Sequence, residues 1–380
     1  MRKIVFAAAI ILTVSATTVK AENSAYLSKV YEFVPAPGQF VNVYPEATDS
    51  DSIESVIATI ESTLLGGTTS GLVSLGAYGG YIVVGFDHSV VNVAGEYDFK
   101  IYGNGSSSSA EPGIVEVSID ENGNGLPDDT WYELAGSEYN SSGTVKNFEI
   151  TYYKPADDKE AEPDASNQYI TDTTYIKWTS NCEDDSAGYV MKNSFHTQSY
   201  WPYWLSDTVM TFKGTRLAQN YTLSGSIYTL SPYDWGYVDN VSNTKDTGLN
   251  IEWAVDSAGN SVSLAYVDFI KVYTALNQYC GWIGETSTEV RGGEDLHPDE
   301  TVSVGVAGTL SDSDRMIVSC KAGTLYITAS TQTLAQVYSI SGQMVDNVEI
   351  SAGANSVDVS GLAPGLYIVK TQTRSYKFIR

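Results

Sequence analysis

The sequence predicts an all-β protein: a jelly-roll-like β-sandwich over residues 22–298 with one amphipathic helix, then a small immunoglobulin-like β-sandwich over 315–380. Three observations carry this. Short apolar–polar alternations recur along the chain with Gly, Asn, Asp and Ser between them, the pattern of half-buried strands joined by turns. Only one segment changes to helical period. Aromatic residues are plentiful, with 27 Tyr and 7 Trp, and such rings favour strands while also making flat binding surfaces.

In chain order, Arg2 and Lys3 precede an apolar run from Ile4 to Val14, and Val19-Lys20-Ala21 offers the small residues that a signal peptidase reads. Residues 1–21 are therefore expected to be a secretory signal, too short for a membrane span. No later stretch approaches twenty apolar residues, so no transmembrane segment is expected in the mature chain. Tyr26 to Phe40 reads as an extended opening segment. Between Asp49 and Gly66, Ile53, Val56, Ile57, Ile60 and Leu64 recur at helical spacing, with Asp49 or Ser50 available as cap and Gly66-Gly67 as stop. Strand-like runs follow at 81–86, 90–93, 97–102, 114–119, 131–134, 147–153, 175–178, 189–191, 209–213, 221–230, 249–255 and 262–273.

The stretch from Ile114 to Tyr139 is the most informative. Ile114, Val115, Val117 and Ile119 give a strand period, which stops at a short acidic loop. Asp120, Asn122, Asn124 and Asp128 then stand at positions one, three, five and nine of a calcium loop. Gly125 falls where such loops turn sharply, and Leu126 offers a backbone carbonyl. Trp131 begins a second strand, so the loop is the tip of a β-hairpin. Its twelfth position is Trp131 instead of a bidentate Glu, which leaves Asp129 or Glu133 to supply the missing carboxylate. Asp and Asn are also turn formers. Calcium is favoured because oxygens crowded on one short loop repel each other unless a cation lies between them.

Two aromatic clusters are candidate ligand platforms: Trp201, Tyr203 and Trp204 within 200–204, and Tyr233, Trp235 and Tyr237 within 233–237. Pro202 and Gly236 make long strands unfavourable there, which places the rings in loops where they could stack on a sugar or another flat ligand. No catalytic residue stands out. His88, His196 and His297 are isolated, and no nucleophile elbow, HExxH helix or phosphate loop is present. A pair of carboxylates, as glycan hydrolases use, would be defined only by the fold.

The balance of 21 basic against 46 acidic residues, a formal charge of −25, argues against nucleic acid and anionic membranes as partners. It suits an extracellular calcium protein. Three cysteines, at 182, 280 and 320, leave at least one unpaired, and a Cys182–Cys280 bridge is open in an oxidising compartment. Residues 299–314 are rich in Asp, Ser and Gly, as expected of a linker.

The tail resembles the C-terminal sorting domain of the type IX secretion system of Bacteroidetes. The residues that carry this are Val337–Val345 (VYSISGQMV), Gly361–Lys370 (GLAPGLYIVK) and the basic end Tyr376–Arg380 (YKFIR), with Gly342, Pro364, Gly365, Tyr367, Lys377 and Arg380 as its markers. The resemblance implies the type IX machinery as partner and export to the extracellular space or outer cell surface. The first 300 residues look like a family of Bacteroidetes cell-surface β-sandwich proteins, on Lys29–Phe40, Glu111-Pro112-Gly113 through Tyr139, Gly236–Asn240 and Val267–Tyr273. Some relatives accompany corrinoid uptake proteins, so the resemblance adds a corrinoid to the candidate ligands. The expectation is a secreted, calcium-stabilised surface protein that binds a glycan or corrinoid-type ligand. The alternatives are a glycan-active hydrolase or lyase and an adhesin or structural surface module.

Overall fold

The computed structural model describes residues 23–380 except 68–70, 246–247, 301–315, 322, 330, 340–342, 364 and 372–374. The expected signal segment and most of the expected linker lie outside these residues. The main body is built on a six-stranded antiparallel sheet in the order Lys29–Val34, Tyr81–Gly85, Phe269–Thr274, Gly113–Ser118, Trp131–Leu134 and Ala254–Val255. Alternation along these strands divides the sheet into two faces. Ile82, Val84, Val115, Val117, Ile270 and Val272 form the main core, where they meet Val56, Ile60 and Leu64 of the helix Ile53–Leu64. Short strands at 73–74, 99–102 and 289–290 contribute Val73, Phe99, Ile101 and Val290 to the same core.

The helix forms where the apolar stripe predicts it, but its cap is Ser52. Ser52 and Ser55 bond each other's backbone N–H groups reciprocally. Asp51 is occupied elsewhere, accepting from the Thr48 N–H and the Ser55 hydroxyl, and a Ser at the helix start caps as well as an Asp. Two residues with positive φ, Gly66 and Gly67, follow the helix.

The opposite face of the sheet mixes charged side chains with the buried Val83, Ile114 and Tyr273. Lys271 lies 2.9 Å from Glu116 and sits over the Tyr81 ring. The expected strands at 147–153, 175–178, 189–191 and 209–213 prove to be longer and to form a second sheet, ordered Ala187–Asn193, Ile170–Ser180, Val145–Tyr153 and Val209–Arg216. It buries Phe148, Ile150, Tyr152, Ile176, Val190 and Phe212 together with Tyr78, Tyr200 and Trp201. Val209–Arg216 meets the first sheet where Tyr273 Oη accepts the Thr215 N–H at 3.0 Å. The run at 249–255 is interrupted by a short 3₁₀ turn, Ile251–Trp253, capped by Asn250, and only Ala254–Val255 is strand. All three cysteines are free.

The C-terminal body is a small two-sheet sandwich. Met316–Lys321, Thr324–Ala329 and Gly353–Asp358 form one sheet, and Met344–Ile350, Thr333–Ser339, Leu366–Lys370 and Ser375–Ile379 form the other. Val318, Leu325, Ile327, Val337, Val369 and Phe378 share their core. Among the described residues, no helix is long and apolar enough to cross a membrane.

Candidate metal and ligand sites

The hairpin is set by the pairs Ser118–Trp131, Val117–Tyr132 and Glu116–Glu133, which leaves 119–130 as its tip. Asp120 organises that tip. Its two carboxylate oxygens accept the N–H groups of Asn124 and Gly125 at 3.0 and 2.8 Å. Asn122 and Asn124 close the turn by accepting the N–H groups of Asn124 and Leu126. Asp128 accepts both Asn side-chain amides, and Asp129 accepts the Glu121 N–H at 3.0 Å. Asp268, just before a central strand, holds the loop from below by accepting the Asp120 N–H at 2.8 Å. Burial first, then the nearby charges of Asp120 and Asp129, push the Asp268 carboxyl above its ordinary range.

Asp120, Asn122, Asn124, Asp128 and Asp129 thus turn toward one another, and the Leu126 side chain stands out in solvent. Glu133 does not join them. It lies on the mixed face of the sheet, where it accepts the Thr215 hydroxyl and faces Lys146 at 3.4 Å, so of the two carboxylates offered for the open position only Asp129 reaches the loop.

The two aromatic clusters have different environments, which corrects the expectation that both face a ligand. Trp201 is 1% exposed, and its indole N–H is spent on the Asp207 carbonyl at 3.0 Å. Trp204 is half-buried against the main core, stacked on Phe33 at 5.9 Å. Tyr203 alone in that group reaches the surface, and its hydroxyl accepts the Ser199 N–H. Apolar burial wins here because the segment runs between the two sheets, which a Pro-interrupted sequence does not reveal.

In the second cluster only Trp235 is exposed; Tyr233 and Tyr237 are part-buried against a small core that includes Leu217 and Leu276. Trp235 is 41% exposed and packs on Trp253, centroid to centroid 4.6 Å. Tyr237 accepts the Glu138 N–H at 2.9 Å, and Tyr233 donates to the Ala218 carbonyl. Trp235 and Tyr237, with Tyr97, Lys100, Asp239 and Asn243, line a cavity of about 310 Å³. Neither Tyr233 nor any residue of 200–204 lines it.

Glu111, Asp239 and Glu289 meet beside this cavity, and nothing in their spacing announced it. Their carboxylate oxygens all lie within 4.8 Å of one another, the one such trio of acidic side chains among the described residues. The three loop aspartates at the hairpin tip do not close to that degree. Segments 103–105, 111–113, 238–240 and 287–289 bring the trio together. The Asn104 N–H donates to Asp239 Oδ1 at 2.6 Å, the Glu289 N–H to Asp239 Oδ2 at 3.0 Å, and the Ser287 N–H to Glu111 at 3.2 Å. Gly103 and Gly105 are required for this wrap, since a Cβ on either would come within 2.4–2.5 Å of Asp239 atoms. Asp239 itself holds a positive φ of 56°. Burial, then the charge of Asp239, pushes the Glu111 carboxyl up; burial, then the charges of Glu111 and Asp239, raises Glu289; Asp239 is raised by burial.

His88 is a structural hydrogen-bonder between Asp87 and Asp295, at 2.7 Å from each.

An all-β chain that ends in a small two-sheet module defines the class of β-sandwich proteins. Residues 321–380 match the family of the secretion system C-terminal sorting domain. Among similar solved structures is a DUF3244-family protein from Bacteroides vulgatus with an immunoglobulin-like β-sandwich fold, at 10% identity and a TM-score of 0.19, covering 21% of this chain and 98% of that one. No curated protein matches the chain. The tail addresses the protein to the type IX secretion machinery, and its destination is the cell surface or the extracellular space. Within the tail, the backbones of Gly365 and Arg380 bond each other in both directions, Arg380 donates to the Val359 and Ser360 carbonyls, and Tyr367 stacks on Phe378 at 5.5 Å. Gly342 and Pro364 lie outside the described residues.

Proposed function

We propose that this is a surface-displayed binding protein whose hairpin tip takes a calcium ion and whose cavity beside Trp235 takes a glycan. The observation that carries the ligand reading is the pairing of an exposed indole with polar walls. Trp235 and Tyr97 offer ring faces, and Lys100 and Asp234 offer charges of both signs around them. Sugars present both an apolar ring face and a rim of hydroxyls, and such sites match both. A cavity of about 310 Å³ is at the lower end of small-molecule pockets, roughly 300–1,000 Å³, which favours a sugar ring over a corrinoid macrocycle. For calcium, the support is the inward turn of five oxygen-bearing side chains on a loop with a glycine at the sharp corner.

The test is calorimetric titration of the full chain with a glycan panel, comparing wild type with Trp235→Ala. Loss of binding in a variant that melts normally is expected. Undiminished affinity would dismiss the cavity as the ligand site, and turnover of any glycan in the panel would move the protein to the hydrolase or lyase class.

A further inference from the structure

We infer that Glu111, Asp239 and Glu289 form a second divalent-cation site, best suited to calcium, at the cavity end of the fold. Calcium–oxygen bonds run about 2.3–2.6 Å, so oxygens on opposite sides of one ion are roughly 4.8 Å apart. The three carboxylates bring oxygens within that mutual distance. Two of the residues, Asp239 and Glu289, are 3% and 2% exposed.

Two further observations point to a ligand. Glu289 Oε1 is fully enclosed and has no hydrogen-bond partner, and such an oxygen carries its full desolvation cost unless something binds it. The Asn104 amide nitrogen, turned toward the trio, donates to Asp239 Oδ1 at 2.9 Å and to Asp239 Oδ2 and Glu289 Oε2 at 3.3 Å, and its oxygen then meets donors on the other side. These hydrogen bonds still leave three carboxylates without a counter-charge. Among the described residues no ion pair reaches the trio. Arg291, whose charge is felt at Asp239, spends its Nε–H on the Gly71 carbonyl. One hard cation answers charge and lone pairs together, and an all-oxygen, irregular donor set selects calcium over magnesium, which requires a near-ideal octahedron. Sharing protons among the carboxylates is the competing arrangement.

This inference uses different residues from the hairpin-tip site and stands or falls separately. The experiment is calcium titration by calorimetry of the chelator-treated full chain, with two variants. Glu289→Gln should lose one calcium equivalent per chain. Asp120→Asn/Asp128→Asn should keep the trio's equivalent, so failure of the tip site and failure of this one give different stoichiometries. A Glu289→Gln chain that binds calcium with wild-type stoichiometry and affinity overturns the inference in favour of shared protons. If that variant does not fold, wild-type crystals soaked in terbium chloride decide. An anomalous peak enclosed by Glu111, Asp239 and Glu289 is the expected result; its absence at saturating ion overturns the site.

Discussion

Trp201 and Trp235 sit in aromatic runs that look alike in sequence, and replacing each with Ala separates a core residue from a ligand-facing one. Trp201 is 1% exposed and its indole donates to the Asp207 carbonyl. Truncation there leaves a closed cavity, about 3–5 kcal/mol, plus about 0.5–1.5 kcal/mol for the abandoned carbonyl. At about 2–4 °C per kcal/mol for a body of this size, the melting midpoint should fall by about 7–26 °C. Trp235 is 41% exposed, so its removal opens onto solvent and creates no void. The loss is its contact with Trp253 and the area it covers, about 1–2 kcal/mol, a fall below about 8 °C. The assay is a thermal melt of both variants followed by glycan titration of those still folded at the working temperature. A Trp201→Ala chain that melts like wild type, or a Trp235→Ala chain that loses as much as Trp201→Ala, would refute the assignment of core and surface.

Excess chelator should lower the melting midpoint of the wild-type chain. An ion present at about 100 times its dissociation constant stabilises by about 2.7 kcal/mol, or about 5–11 °C here, and an unchanged curve would remove calcium from the account. His88 gives a pH dependence: burial works against the charged ring, but the hydrogen bonds and charges of Asp295 and Asp87 outweigh it and raise its pKa above 6.5. Its pairing should therefore stabilise fully below 6.5 and fade as pH rises through the folded value; urea melts of wild type and His88→Gln should converge in the alkaline range, and a gap that widens there would contradict this. Deleting 321–380 should leave the protein inside the cell envelope, which fractionation and immunoblotting can follow. Surface display without those residues would separate the tail from export.

The sequence carried the local features well because they depend on local physics. The stripe Ile53, Val56, Ile60 and Leu64 could only be satisfied as a helix against the sheet, and Trp131–Leu134 is a strand at the boundaries its alternation gives. What it could not carry was convergence. Glu111, Asp239 and Glu289 come from three separate segments, each bland alone, and only the return of Val238–Asn240 to Gly113 brings them together. Gly103 and Gly105 around Asn104 were the available hint, a chain forced close to another chain, but glycines are common in the turns of any β protein. Burial of the aromatics was equally hidden, since a run broken by one Pro and packed against two cores and a loop broken by one Gly over a cavity read the same in one dimension.

The two proposed cation sites lie at opposite ends of one strand. Gly113–Ser118 starts beside Glu111 and ends beside Asp120, and six residues at about 3.3 Å each put roughly 20 Å between them. That is well beyond a Debye length of about 8–10 Å at physiological salt, so charge at the hairpin tip is not felt at the cavity through solvent. An ion at the tip therefore acts on stability, tying the hairpin to Asp268 and the central strands. An ion among Glu111, Asp239 and Glu289 sits where Asp239 walls the cavity, and changes the charge any ligand meets there. Calcium dependence of melting and calcium dependence of binding would accordingly have separate origins in this fold, the first in the loop the sequence displays and the second in carboxylates that only the folded chain assembles.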